Sequence, residues 1–558
     1  MSAATNVLSR RRFLASTGFG VAALAGPVFA RDAKARPPNI ILFLTDDQGW
    51  TDTSVPMMKG RPDSGSDFYR TPALERLARE GMVFSSAYSP APVCSPTRHS
   101  IQFGKTPGRL HNTCHVRGAA DCRDEMSIAR MLKMADPAYA AAHFGKWGLS
   151  QSPDPAHFGY DRSDGRTNNY HGDWRALDDR RGLPEDDPKR IFSLTRRATA
   201  FMEEQVCKGR PFYLQVSHYA LHVQHAALAE TIEKVRRRPR GAKCRAQDYQ
   251  DPPPPLNGWM VEYAAMIEDM DTGLGTLLKA IDRLGIADNT YVLFISDNGG
   301  GFRSNEPLRG GKGQCWEGGI RVPMVVRGPG IKAGTYCEVP VTGWDFFPTF
   351  SDLAGNRRLL PAGIDGGSLR PLFENEGRGE VKRPLGHLVF HFPFWTPFGA
   401  EPVTAIREGD WKLLKMWTTG ERLLFNLAED LGETRNLADA KPDKVNDLHA
   451  KLTAYLQAVG AEDWREIRAT QGKHAGGLDI RRRTDNYLKE AEQDGAEKLR
   501  IRIEQLKGQL ADQNSIRRQT VHSQDPDANR AWARANAECV FLREVIEALQ
   551  ERLKRNGR

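Results

Sequence analysis

The stretch Asn39-Ile40-Ile41-Leu42-Phe43-Leu44-Thr45-Asp46-Asp47-Gln48-Gly49 decides the fold. From Ile40 to Leu44 it is apolar without a break, with no polar residue at alternate positions. A strand wetted on one face alternates; one that does not is covered on both faces, as in a parallel sheet between helical layers. The run stops abruptly at two aspartates. In open α/β sheets ligands bind beyond the carboxyl ends of the strands, so Asp46 and Asp47 stand where chemistry is expected.

The same texture returns along the chain. Pro211–Ser217 is a second such strand and delivers His218 and His222. Asn289–Ser296 is a third and ends in Asp297-Asn298-Gly299-Gly300. Tyr139–Gly148 runs into Lys146, and Val322–Val326 follows. Helical patterns lie between them, at Thr71–Gly81, Met126–Met134, Phe192–Val206 and Trp259–Leu284. This alternation predicts an α/β fold over residues 38–384: a large doubly wound sheet, mixed but mainly parallel, flanked by helices. Short strands at 388–392, 404–407, 411–414 and 422–425, with a helix at 445–459, predict a smaller C-terminal antiparallel sheet subdomain over 385–465. In 466–558, Leu499, Ile503, Leu506 and Leu510 repeat at four-three-four spacing, as do Leu542, Ile546, Leu549 and Leu553. That predicts a charged helical C-terminal extension, a coiled coil or helical hairpin available for self-association, with packing onto the main body as the equal alternative.

The 558 residues carry a net charge of +9 and are 40% hydrophobic, which suits a large core and more than one domain. Much of the positive charge sits in the arginine-rich start and the tail. No zinc-finger or RNA-binding signature accompanies it, so no nucleic-acid partner is expected. The eight cysteines form no CxxC pair, which argues against a zinc site and a dense disulfide framework. Residues 1–31 read as a twin-arginine signal peptide: Arg10-Arg11-Arg12-Phe13-Leu14 precedes a mildly apolar run that ends in Val28-Phe29-Ala30. The expectation is a bacterial protein exported to the periplasm or beyond by the twin-arginine machinery.

If the strands ending in Asp46-Asp47 and Asp297-Asn298 share one sheet edge, three carboxylates and an amide oxygen meet there. A divalent cation relieves their repulsion, and all-oxygen ligation points to Ca²⁺ or Mg²⁺. The competing reading is four ordinary turn residues. Lys146, Lys312, Arg98, His218 and His222 fall on loops at the same edge. Such cations suit a tetrahedral oxyanion, and a histidine beside it can protonate a leaving alcohol. Taken singly, each is an ordinary surface lysine or packed histidine. In Tyr88–Ser100, Pro90, Pro92 and Pro96 stiffen the chain before a helix, which puts Cys94 at an anion-favouring N-terminus. The alternative for Cys94 is a buried structural thiol. His391, with Phe394 and Trp395, is a candidate for lining a substrate site, against the reading that these belong to the core of the small sheet.

Cys94-Ser95-Pro96-Thr97-Arg98 resembles the signature of the type I sulfatases, in the alkaline phosphatase superfamily. Leu44-Thr-Asp-Asp-Gln-Gly49, Gly145-Lys-Trp147, Tyr219-Ala-Leu-His222, Ser296-Asp-Asn-Gly299, Pro307–Gly313 with Glu317–Pro323, and Ala405–Leu413 are similar to the same family, in order, over residues 38–460. The resemblance implies that a formylglycine-generating maturation enzyme oxidises Cys94 to formylglycine, whose hydrate attacks the sulfur of a sulfate ester. It further implies that Asp46, Asp47, Asp297, Asn298 and the converted Cys94 bind Ca²⁺, or Mg²⁺. Arg98 would support the hydrate, Lys146 and Lys312 hold the sulfate, and His222 protonate the leaving alcohol of a sulfated glycan or small molecule. The same scaffold serves phosphoester and phosphonate hydrolases, and a non-catalytic sulfated-glycan binder is the alternative outside enzymes. One departure stands out. Many relatives carry histidine where this chain has Gly148, which leaves the base that resets formylglycine unassigned among His99, His111, His115, His143 and His171.

Overall fold

The computed structural model describes residues 36–113, 121–169, 185–222, 225–239, 258–301, 305–356, 360–394, 402–465, 477–520 and most of 535–554. The expected signal segment, His115, His171 and Trp395 lie outside them.

The strands, in chain order, are β1 (Asn39–Thr45), β2 (Met82–Phe84), β3 (Ala87–Tyr88), β4 (Ala140–Gly145), β5 (Arg162–Ser163), β6 (Phe212–Ser217), β7 (Thr290–Ser296), β8 (Met324–Arg327), β9 (Thr335–Cys337), β10 (Val341–Thr342), β11 (Leu388–Phe392), β12 (Val403–Glu408), β13 (Trp411–Met416) and β14 (Arg422–Asn426). Eight of them form one mainly parallel sheet in the order β5-β4-β6-β1-β7-β8-β2-β9. The pairs from β5 to β7 are parallel, whereas β8 runs antiparallel to both β7 and β2.

β1 sits centrally, and its side chains divide by period two. Ile41 and Phe43 enter the core on one face of the sheet; Ile40, Leu42 and Leu44 enter the core on the other. β7 divides alike, with Val292 and Phe294 on the first face and Leu293 and Ile295 on the second. That double burial is why neither strand alternates in sequence. The first face is covered by the helices Ile191–Cys207 and Gly258–Arg283, the second by Ile128–Ala135 and Phe346–Leu353.

β11 to β14 form a separate antiparallel meander, backed by the helix Pro442–Ala458 through Leu448 and Leu452. In the extension, most of the two apolar stripes pack against each other, as in a helical hairpin. Leu499, Ile503 and Leu506 of the helix Ala496–Thr520 share one buried core with Leu542, Val545, Ile546 and Leu549. An unpredicted helix, Gly477–Glu490, precedes them. No described helix is long and apolar enough to cross a membrane.

Candidate active site

Register builds the site. Thr45 pairs with Ser296, so the residues that follow emerge side by side: Asp46 with Asp297, Asp47 with Asn298. Gly145 pairs with Ser217, and Lys146 N–H continues the ladder onto the Ser217 carbonyl at 2.8 Å. Four parallel strands, β4, β6, β1 and β7, thus present Lys146, His222, two aspartates, and an aspartate with an asparagine along one carboxyl edge.

Cys94 reaches the same place from outside the sheet. It opens the helix Cys94–Phe103, all ten residues of which are buried. Pro96 needs no N–H partner in a first turn, so the helix can begin ahead of it, at Cys94 itself. The Thr97 hydroxyl takes up both the Ala91 N–H and the Ala91 carbonyl, which fixes the proline-rich lead-in. Gly104, in the left-handed region, closes the helix with its N–H on the Ser100 carbonyl.

Arg98, one turn into the helix, is fully committed. Its Nε and Nη2 donate to Asp297 Oδ2 at 3.0 and 2.8 Å, and Nη1 donates to the Lys146 carbonyl at 2.6 Å. Lys146 Nζ lies 2.5 Å from Asp46 Oδ2, and Lys312 Nζ lies 2.7 Å from each Asp47 oxygen. His222 Nε2 stands 4.0 Å from Asp47 Oδ2 and 3.2 Å from Asn169 Nδ2.

Burial by itself would raise the Asp46 carboxyl, but Lys146, His222, Arg98 and Lys312 outweigh it and hold it below the usual range. Asp297 goes the other way: burial and the adjacent Asp46 push it up to about 7 despite Arg98 and Lys146. Burial and Lys312 lower His222 to about 4. Arg98, Lys146 and Lys312 match the three carboxylates in number, yet the repulsion between Asp46 and Asp297 persists. Two buried oxygens, Asp46 Oδ1 and Asn298 Oδ1, meet no hydrogen-bond donor among the described residues; Asn298 Nδ2 donates to Asp47 and the Gly299 carbonyl, which holds the amide in place. Ligand atoms of Asp46, Cys94 and Asp297 lie within 4.8 Å of one another. Orphaned, buried, hard oxygen donors beside mutually repelling carboxylates fit a divalent cation of the Ca²⁺ or Mg²⁺ type.

Other expected residues fall elsewhere. His391 is on β11, with Nδ1 2.7 Å from Thr404 Oγ1 and Nε2 2.9 Å from the Glu462 carbonyl. Both ring nitrogens are thus spent inside the small subdomain, and a substrate role is not what this geometry offers; Phe394 likewise packs in the core of the small sheet. His218 turns into the core against Phe43, ring centroids 4.5 Å apart, with neither nitrogen hydrogen-bonded among the described residues. His99 is tied to the Ser95 carbonyl and Ser152, and His143 to Ser217; His111 is exposed. Gly148 has φ +67°, and a Cβ there would stand 2.8 Å from Arg98 Cδ. The space of the expected histidine is held by the arginine side chain. Sequence reading missed Asn169 and Thr167. The Thr167 hydroxyl accepts from Trp147 N–H and donates to the Gly145 carbonyl, clamping the turn that carries Lys146. Two polar residues in an irregular loop give no periodic signal.

The family profile described as Sulfatase matches residues 38–356, and that described as N-sulphoglucosamine sulphohydrolase, C-terminal, matches 311–462. A sulfatase of Formosa agariphila is 28% identical over 526 residues, covering 78% of this chain and 90% of its own. The N-acetylgalactosamine-6-sulfatase of Mus musculus is 28% identical over 414 residues, covering 65% and 73%. Among solved structures, Ps i-CgsB superposes with a TM-score of 0.62 at 25% identity, over 75% of this chain and 93% of that one.

Proposed function

The chain belongs to the sulfatase family and is a sulfuric ester hydrolase, and from that premise we propose that it cleaves sulfate from a sulfated carbohydrate with formylglycine made from Cys94. The observation that carries the reading is the meeting of Cys94 with Asp46 and Asp297 within 4.8 Å, on the edge where Lys146 and Lys312 also stand. A thiol is a soft ligand among hard oxygens, and conversion to an oxygen-bearing group removes that mismatch. The sugar is suggested by the name of the Mus musculus relative, an N-acetylgalactosamine-6-sulfatase.

Asp46, Asp47, Asp297, Asn298 and the converted Cys94 would hold Ca²⁺ or Mg²⁺, which when bound supplies positive charge to the sulfate oxygens. The chain's own groups do the rest. Each lysine ammonium has three protons, so Lys146 and Lys312 can keep their aspartates and still donate to sulfate. Arg98, pinned by three hydrogen bonds, keeps Asp297 and the Lys146 backbone in register under that load. His222, lowered to about 4 when no anion is present, binds a proton more readily beside a sulfate ester, because a nearby negative charge favours the imidazolium. That proton then goes to the leaving alkoxide oxygen.

Maturation of Cys94 requires a partner enzyme that supplies the oxidant. If export follows the twin-arginine route, which carries folded protein, conversion precedes export. Mass spectrometry of the Cys94 peptide from exported protein of the native host tests the proposal: the formylglycine peptide is lighter than the thiol and reacts with hydrazides. An active enzyme whose Cys94 peptide is wholly thiol refutes it.

A further inference from the structure

The sequence motifs around Glu317 and Lys412 take no part in the chemistry above, yet the structure joins them in one buried ionic network. Lys412, on β13 of the small sheet, is wholly buried, with its ammonium 2.9 Å from Glu317 Oε1 and 2.8 Å from Glu433 Oε1. Glu433 Oε2 accepts the Glu317 N–H at 2.7 Å, and the Glu433 carbonyl accepts Arg309 Nη1 at 3.1 Å. The Arg309 guanidinium lies over the Trp316 ring, 3.7 Å from its centroid. Glu317 Oε2 accepts from the Tyr88 hydroxyl at 2.6 Å and from Arg321 at 3.2 Å, and Arg407 donates to the same hydroxyl.

Burying this many charges is expensive even when they are paired, so such a network is weak evidence for stability as its purpose. What it grips is more informative. Arg309 and Glu317 bracket the turn that carries Lys312, and Glu433 holds both. The turn is tied to the site at two further points: Lys312 N–H donates to the Gly300 carbonyl at 3.1 Å and Gly313 N–H to the Pro92 carbonyl at 2.8 Å. Pro92 lies in the lead-in to Cys94, which Tyr88 opens. Glu433 itself has φ +53° while fully buried, a left-handed conformation that a non-glycine residue keeps only where its surroundings enforce it.

We infer that Lys412 and Glu433 are positioning residues for sulfate binding: from the small subdomain, Lys412 on β13 and Glu433 in the loop after β14 fix both ends of the Arg309–Glu317 turn and so set where the Lys312 ammonium stands. This rests on the role of Lys312 as a sulfate holder given above. The small subdomain thereby helps to set the oxyanion site through Lys412 and Glu433.

The test uses the full-length, metal-loaded enzyme with 4-nitrophenyl sulfate as substrate and inorganic sulfate as competitive inhibitor and as calorimetric ligand. Glu433→Gln keeps an acceptor for Glu317 N–H but loses its charge; Lys412→Met keeps the stem but loses the ammonium. Each is expected to weaken sulfate binding and raise KM by about tenfold while kcat changes by less than about threefold. A lowered melting temperature with unchanged sulfate affinity would mean a purely structural role and would overturn the inference. Lys312→Ala runs alongside. If it leaves sulfate affinity intact, the role given to Lys312 fails; if it weakens sulfate and Glu433→Gln does not, the positioning inference fails. Should the two buried variants not fold, Arg309→Leu at the half-buried end of the turn decides: weakened sulfate affinity supports the inference, and wild-type affinity overturns it.

Discussion

Replacing Gly148 with alanine tests how tightly the site is built. The glycine sits at φ +67°, which costs an L-residue roughly 1–2 kcal/mol. The added Cβ would stand 2.8 Å from Arg98 Cδ and 3.4 Å from Arg98 Nε. Arg98 cannot step aside freely, because Asp297 and the Lys146 carbonyl hold all three of its donor nitrogens and its side chain is 1% exposed. Releasing one charged hydrogen bond costs about 1.5–3 kcal/mol, so the substitution is expected to cost roughly 2.5–5 kcal/mol in all. Gly60 supplies the control: its φ is +75°, and an added Cβ there meets nothing within 4 Å. Gly60→Ala should therefore show only the backbone cost. The assay pairs thermal unfolding with kcat/KM on an aryl sulfate. Gly148→Ala should lose clearly more stability than Gly60→Ala and at least about tenfold in kcat/KM, while Gly60→Ala keeps its activity. Equal melting shifts with undiminished kcat/KM for Gly148→Ala would refute the claim that Arg98 is pinned there. By the same reasoning Gly148→His, although it brings in the residue many relatives carry, should lower activity rather than raise it.

Acid sensitivity should follow from buried neutral histidines. Burial lowers His143, with help from Arg98, and His218 to about 3, and His99 and His391 to about 4. These folded values lie below the unfolded 6.5, so the unfolded chain takes up protons first as pH falls. Stability is full above about pH 6.5 and declines below it by about 1.4 kcal/mol per histidine per pH unit, down toward the folded values. His218→Phe, which removes an unpartnered imidazole beside Phe43, should raise the melting temperature more at pH 5 than at pH 8; equal shifts at both would count against the assignment. Chelation should lower the melting temperature as well as the activity, and Ca²⁺ or Mg²⁺ should restore both, whereas no thermal shift on chelation would argue against the oxygen cluster as a cation site. Asp271 accepts the N–H groups of Ala73 and Leu74 at the start of the helix Pro72–Arg79, so Asp271→Ala should cost about 1–2 kcal/mol without altering KM. Because the extension has its own core, Ile503→Asp should unfold it by circular dichroism yet leave kcat/KM unchanged.

The path from sequence to site was short where the signal was local and periodic. An apolar run with no alternation is a strand covered on both faces, and β1 and β7 carry that mark in their own residues. Charged residues at the ends of such strands sit on an edge whatever the order of the strands, so Asp46, Asp47, Asp297 and Asn298 could be picked out before any coordinates. The Cys94–Arg98 frame was legible for a similar reason, since prolines restrict a chain wherever they occur. Register was not legible. Only the pairing of Thr45 with Ser296 makes Asp46 and Asp297 neighbours and sets the repulsion that lifts Asp297 to about 7.

By itself, the sequence determined the long buried strands, several of the helices between them and the inventory of charged groups, because these depend on residues close together in the chain. Tertiary structure alone decided which of those groups meet. It turned His218 inward and spent both nitrogens of His391 on the small subdomain. It filled the space beside Gly148 with Arg98, and it carried Lys412 and Glu433 to the turn of Lys312. Each of those outcomes rests on contacts between residues far apart in the chain, where neither spacing nor periodicity leaves a trace and only packing, register and the pairing of buried charges decide.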